Sequence, residues 1–82
     1  MKLKELNSWK LALTDQQFLV LKRIFWRSQG FLWTRYRNLF EICNSPSKRV
    51  SEMVEAGVKF KYRDVQIKNS TGRKVVVREF QV

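Results

Sequence analysis

The last third of the chain pairs with itself. Folded back about a three-residue loop, Ser70-Thr71-Gly72, its residues match as Ile67 with Val75, Val65 with Val77, Tyr62 with Phe80 and Phe60 with Val82. All four pairs are apolar. The same alignment sets Asp64 opposite Arg78 and Arg63 opposite Glu79, two pairs of opposite charge. Cross-strand pairs of both kinds stabilise a ladder, and a slip of one residue would turn every side chain to the wrong face. Gly72 stands where a three-residue hairpin loop requires a left-handed backbone. A terminal β-hairpin of defined register is therefore the strongest constraint on the fold.

The apolar alternation changes phase between Tyr62 and Val65, and again between Val77 and Phe80. These changes lie opposite each other. The base, Phe60, Tyr62, Phe80 and Val82, is expected to pack on the rest of the domain. The outer half then buries Val65, Ile67, Val75 and Val77 on the other face, or twists strongly there. A paired bulge is the alternative.

Three helices are expected upstream. Thr14 and Gln17 form a capping box, and Leu13 and Phe18 stand at staple positions. The first helix should run from about Asp15 to Ser28, with Gly30 near its stop. Phe18, Leu21, Ile24 and Phe25 form its apolar face, while Leu19 and Trp26 form a second stripe that needs its own cover. An N-terminal arm or a second subunit would supply that cover. Phe31-Leu32-Trp33 reads as a short third strand or a buried connector. Thr34 then caps a second helix, about Arg35 to Ile42, with Tyr36, Leu39, Phe40 and Cys43 inward. Ser45 caps the third helix, with Pro46 at the first helical position. Val50, Met53 and Val54 face inward, and Gly57 ends the helix in a left-handed conformation. Residues 1–13 form an arm or short helix, with Leu3, Leu6, Trp9 and Leu13 at helical spacing, ahead of a domain spanning 14–82.

Charge narrows the function. The chain has 82 residues and a formal net charge of +10, yet it is 44% hydrophobic and 13% aromatic, so it builds a core rather than a disordered basic tail. Such an excess repels itself, and a polyanionic partner offsets the repulsion. Nucleic acid is the first candidate, ahead of an anionic membrane surface or an RNA assembly. Histidine is absent and Cys43 is alone, which excludes an intrachain disulfide and histidine-based zinc sites, triads and general bases. The expectation is a binding protein with no metal, cofactor or small-molecule substrate. No apolar run reaches membrane length, and the N-terminus lacks a signal-peptide core. A bacterial or virus-infected cytoplasm fits.

The basic residues cluster on two elements. From Val58 to Val82 there are seven basic residues against two acidic ones. Lys68, Asn69, Ser70, Thr71, Arg73 and Lys74 at the hairpin tip suit phosphates or a minor groove. In the third helix, Ser45, Ser47, Lys48, Arg49, Ser51 and Glu52 are candidates for contact with base edges. Lys48 and Glu52 have the alternative of a solvated i,i+4 pair. Arg35 and Arg37 open the second helix with the charge its dipole disfavours, which suits phosphate contacts.

The run Ser47-Lys48-Arg49-Val50-Ser51-Glu52-Met53-Val54-Glu55-Ala56-Gly57-Val58, followed by a hairpin ending Gly72-Arg73-Lys74-Val75-Val76-Val77, resembles the small winged helix-turn-helix proteins of phages and mobile elements. The resemblance covers about Leu13 to Val82. It implies an α+β winged helix, with a three-helix core and a C-terminal hairpin wing. It also implies double-stranded DNA binding in transcriptional control or in an architectural, excisionase-like role. By matching position, Ser47, Lys48, Arg49 and Ser51 inherit the reading role, and Arg73 and Lys74 the wing role. Arg37, where such proteins usually carry a capping Glu, and the Trp-containing N-terminal extension depart from the pattern. An RNA-binding module and a protein-interaction domain are the rival expectations. A homodimer through the N-terminal arm or the outer hairpin face is a further one.

Overall fold

The hairpin forms in the register its side chains require. In the computed structural model, which describes residues 1–82, β1 (Lys61–Lys68) and β2 (Lys74–Gln81) pair antiparallel from Lys61 opposite Gln81 to Lys68 opposite Lys74. No residue is skipped, so the phase change is not a bulge. It is a change of residue type across two layers of charge. On the inner face, which carries Tyr62 and Phe80, Arg78 Nε lies 3.2 Å from Asp64 Oδ1. On the back face, Arg63 Nε lies 2.7 Å from Glu79 Oε1. Beyond these layers Val65, Ile67, Val75 and Val77 stay half-buried on the back face. The loop is the expected one: Asn69 N–H bonds to the Arg73 carbonyl at 2.9 Å, and Gly72 has φ 82°.

Three α-helices precede the hairpin, giving an α+β chain: α1 (Leu3–Ser8), α2 (Asp15–Gln29) and α3 (Pro46–Glu55). The capping box of α2 is present, with Gln17 N–H on Thr14 Oγ1 at 3.2 Å and Thr14 N–H on Gln17 Oε1 at 3.1 Å. Its other end departs from expectation. Gly30 has φ −87°, and it is Phe31, at φ 61°, that takes the left-handed position. Phe31 N–H bonds to Ser28 O at 3.0 Å and Leu32 N–H to Arg27 O at 2.9 Å, the Schellman pattern. A left-handed non-glycine residue costs about 1–2 kcal/mol. Phe31 is 87% exposed, so its ring returns little packing. Phe31→Gly is therefore expected to raise stability by about 0.5–1 kcal/mol, measured by urea unfolding.

Phe31 and Leu32 are thus neither strand nor buried connector. The third-strand contact moves to Thr34 and shrinks to one bridge, with Thr34 N–H on Phe80 O at 3.0 Å and Phe80 N–H on Thr34 O at 2.9 Å. Thr34 is fully buried and caps no helix; its hydroxyl accepts from Arg27 Nε at 3.0 Å. The second helix is a single 3-10 turn, Tyr36–Leu39. Asn38 Oδ1 accepts the Arg35 N–H at 2.9 Å, which closes the turn tightly. Leu39 and Cys43 are buried as expected, but Phe40 is 58% exposed because the chain does not continue as a helix.

In α3, Pro46 stands at the first position, and Gly57 ends the helix at φ 106°. Ser45 holds the N-cap position without a side-chain capping bond. Val50 and Met53 are buried, whereas Val54 is 44% exposed, on the side of α3 that faces the hairpin. One core joins every helix to the hairpin: Leu6 from α1, Leu21 and Phe25 from α2, Met53 from α3 and Phe80 from β2. Residues 1–13 therefore contribute to packing, through Leu6 and Leu13. They do not cover the second stripe of α2, since Leu19 and Trp26 remain 51% and 53% exposed. No helix is long and apolar enough to cross a membrane.

Candidate nucleic-acid interface

The site begins with the division of labour among the cations. All five ion pairs use an arginine: Arg23 with Glu41, Arg35 and Arg63 with Glu79, Arg49 with Glu52, and Arg78 with Asp64. None uses a lysine. Arginine's planar fork suits bidentate, fixed pairing, whereas lysine is a mobile point charge. Arg27 has no carboxylate partner either, but its guanidinium is held by the Thr34 hydroxyl and the Trp33 carbonyl, so the charge left for a partner rests on lysines together with Arg37 and Arg73.

Arg35 is not one of the free cations. Its Nε lies 2.7 Å from Glu79 Oε2, and its side chain is 26% exposed. Arg63 meets the other oxygen of the same carboxylate, and its guanidinium carbon lies 4.3 Å above the centroid of the Trp33 ring. Glu79 is 4% exposed and ties the 3-10 turn to both strands. The Arg35 hydrogen bond, with that from Arg63, holds the Glu79 carboxyl below its ordinary value of 4.5, against the opposing effect of burial. Arg37, beside it in the chain, is exposed and forms no ion pair.

On α3 the expected readers separate into two groups. Arg49 NH2 lies 2.9 Å from Glu52 Oε1, and Glu52 Oε2 accepts from Gln17 Nε2 at 3.0 Å. Both residues are half-buried beside α2 and engaged there. Glu52 pairs with Arg49 rather than Lys48. Ser45, Ser47, Lys48 and Ser51 are exposed. Farther along the helix, Ser51, Val54 and Glu55 border a groove of about 310 Å³ whose opposite wall is Tyr62 and Arg78 of the hairpin. Arg78 lies 5.4 Å from the Tyr62 ring centroid, which stiffens that wall.

Strand parity extends this wall outward. Side chains two apart share a face, so Lys68 and Lys74 lie on the inner face with Tyr62 and Arg78; on the back face the strand residues between the Arg63–Glu79 pair and the loop are uncharged, and Arg73 stands in the loop just beyond them. At the tip, Asn69 Oδ1 accepts from Thr71 N–H at 3.0 Å, Thr71 Oγ1 at 2.7 Å and Arg73 N–H at 3.0 Å. Asn69 therefore builds the loop rather than facing a ligand, and the Thr71 hydroxyl proton is committed to it. Lys68, Ser70, Arg73 and Lys74 are exposed.

Sequence reasoning overlooked Val54, Tyr62 and Arg78 as parts of the site. Each reads locally as core or as half of a charge pair. Only the placing of α3 and the hairpin side by side on α2 sets them around a shared groove. Comparison with known proteins returns no match among family models, curated proteins or solved structures.

Proposed function

We propose that the chain is a winged-helix protein that binds double-stranded DNA without catalysing a reaction. In this reading α3 enters the major groove with Lys48, Ser47 and Ser51, and the hairpin acts as a wing whose Arg73, Lys68 and Lys74 grip the flanking backbone. Arg37 adds a phosphate contact. The observation that carries the reading is the shared groove, with Ser51 and Val54 of α3 on one wall and Tyr62 and Arg78 of the hairpin on the other. It aligns the exposed side of α3 with the cationic face of the wing. A helix and a basic ribbon on one surface suit base contacts and phosphate contacts respectively. A small regulator or architectural factor of a phage or mobile element is the role we assign.

Two substitutions separate the parts. Arg73→Ala should weaken binding to all duplexes alike and reduce the salt slope by about one. Lys48→Ala should cost about 1–3 kcal/mol at one base pair and relax preference there. Selection of bound duplexes from a random pool, run with the parent and with each variant, checks both. Uniform loss across every position for Lys48→Ala would remove it as a reader.

A further inference from the structure

Four adjoining grooves run from the hairpin, past the C-terminal end of α3, to α1. Val54 and Tyr62 line the groove described above and also the next, of about 500 Å³, with Lys59 and Phe60. Lys59 and Gly57 continue into a third, of about 330 Å³, bounded by Trp9. Glu5 and Ser8 border that one and a fourth, which Lys2 and Lys4 flank. The run therefore alternates aromatic rings with unpaired lysines.

We infer that this channel binds single-stranded nucleic acid; it shares its first groove with the proposed duplex site and runs on from there past Lys59 to α1. Phosphates of an extended strand follow Lys59, Lys2 and Lys4, which are exposed and have no carboxylate partner. Its bases stack on Tyr62, Phe60 and Trp9. Tyr62 is 46% exposed, with its ring centroid 6.3 Å from that of Phe60, whereas Phe60 and Trp9 are half-buried against the core and present only part of each ring. Sequence-tolerant strand binding uses this combination of a cationic track and aromatic platforms. A duplex presents its bases already stacked and offers such rings nothing to receive. An acidic peptide matches the charge but not the platforms. Glu5 and Glu55 oppose an anion at the rim, and the three lysines outnumber them. Gly57, at φ 106°, brings backbone without a side chain to the floor beside the Trp9 ring.

The test is fluorescence anisotropy of the full chain with an oligothymidylate of about fifteen nucleotides, against an abasic strand of equal length and charge. The thymidylate should bind roughly tenfold tighter. Trp9→Leu and Lys59→Ala should each lower its affinity several-fold, Trp9→Phe should restore it, and duplex affinity should stay within about twofold throughout. Equal affinity for the two strands would overturn the inference, because charge alone would account for it. So would a loss for duplex in Lys59→Ala as large as that for thymidylate. If circular dichroism shows that Trp9→Leu is unfolded, Lys59→Ala and the double variant Lys2→Ala, Lys4→Ala decide the matter. Duplex binding measured in parallel keeps failure here distinct from failure of the duplex proposal.

Discussion

Raising the salt from 50 to 200 mM should weaken duplex binding about a thousand-fold. The expectation comes from counting cations. Lys48, Arg37, Lys68, Arg73 and Lys74 are exposed and without a carboxylate partner, and Arg78, whose pair with Asp64 is itself exposed to solvent, opens to a phosphate as the sixth. About six contacts to phosphate release enough counterions for a log–log slope of roughly −5. The five arginine ion pairs sharpen this figure, because Arg35, Arg49 and Arg63 are already neutralised within the protein and should release nothing. A slope near −8 would mean that those pairs open on DNA. A flat titration would mean that the charge does not meet phosphate at all.

Glu79→Gln should destabilise the fold by about 2 kcal/mol, which lowers the melting temperature by roughly 8–16 °C in a domain of this size. The carboxylate is almost inaccessible and receives two guanidinium hydrogen bonds of 2.7 Å. The amide removes the charge and turns a donor toward one arginine. The effect stops short of the largest buried-pair losses because Arg63 is 50% exposed and rehydrates. The same group sets an acid limit. Its folded pKa lies below the ordinary value of 4.5, so its contribution is complete above that value and is lost as pH falls through the folded pKa. Melting temperature should therefore fall as the pH is lowered below about 5, and the fall should be shallower in Glu79→Gln. Parallel melting curves at each pH supply the check.

Much of the hairpin was legible because its partners are close in sequence and each pair carries its own signal. Asp64 with Arg78 and Arg63 with Glu79 could be read directly, and the register followed. The Thr14 capping box and the left-handed Gly57 were legible for the same reason, being complete within a few residues. What escaped depends on distant partners. Thr34 reads as a cap by residue type, and only its bridge to Phe80 makes it part of the sheet. Arg35 reads as a phosphate ligand until Glu79, 44 residues later, claims it. Phe40 and Val54 fit an inward helical face, but a shortened turn exposes the first and the hairpin groove takes the second. The candidate site was thus half visible: its free lysines could be named, while the withdrawal of Arg35 and Arg49 from it could not.

That withdrawal also bears on specificity. Arg49, engaged with Glu52 on the α2 side, leaves Lys48, Ser47 and Ser51 as the outward set on α3. Short polar side chains and one lysine make few bidentate contacts, so sequence preference should be modest and much of the affinity electrostatic.

The most direct test of the account is an amide chemical-shift titration of the isotope-labelled chain with a short duplex. The account predicts that Lys48 and Ser51 on α3 and Arg73, Lys74 and Arg78 on the hairpin shift together, while Val65, Ile67 and Val77 on the back face stay still. Shifts confined to one of the two elements, or centred on the back face, would contradict it.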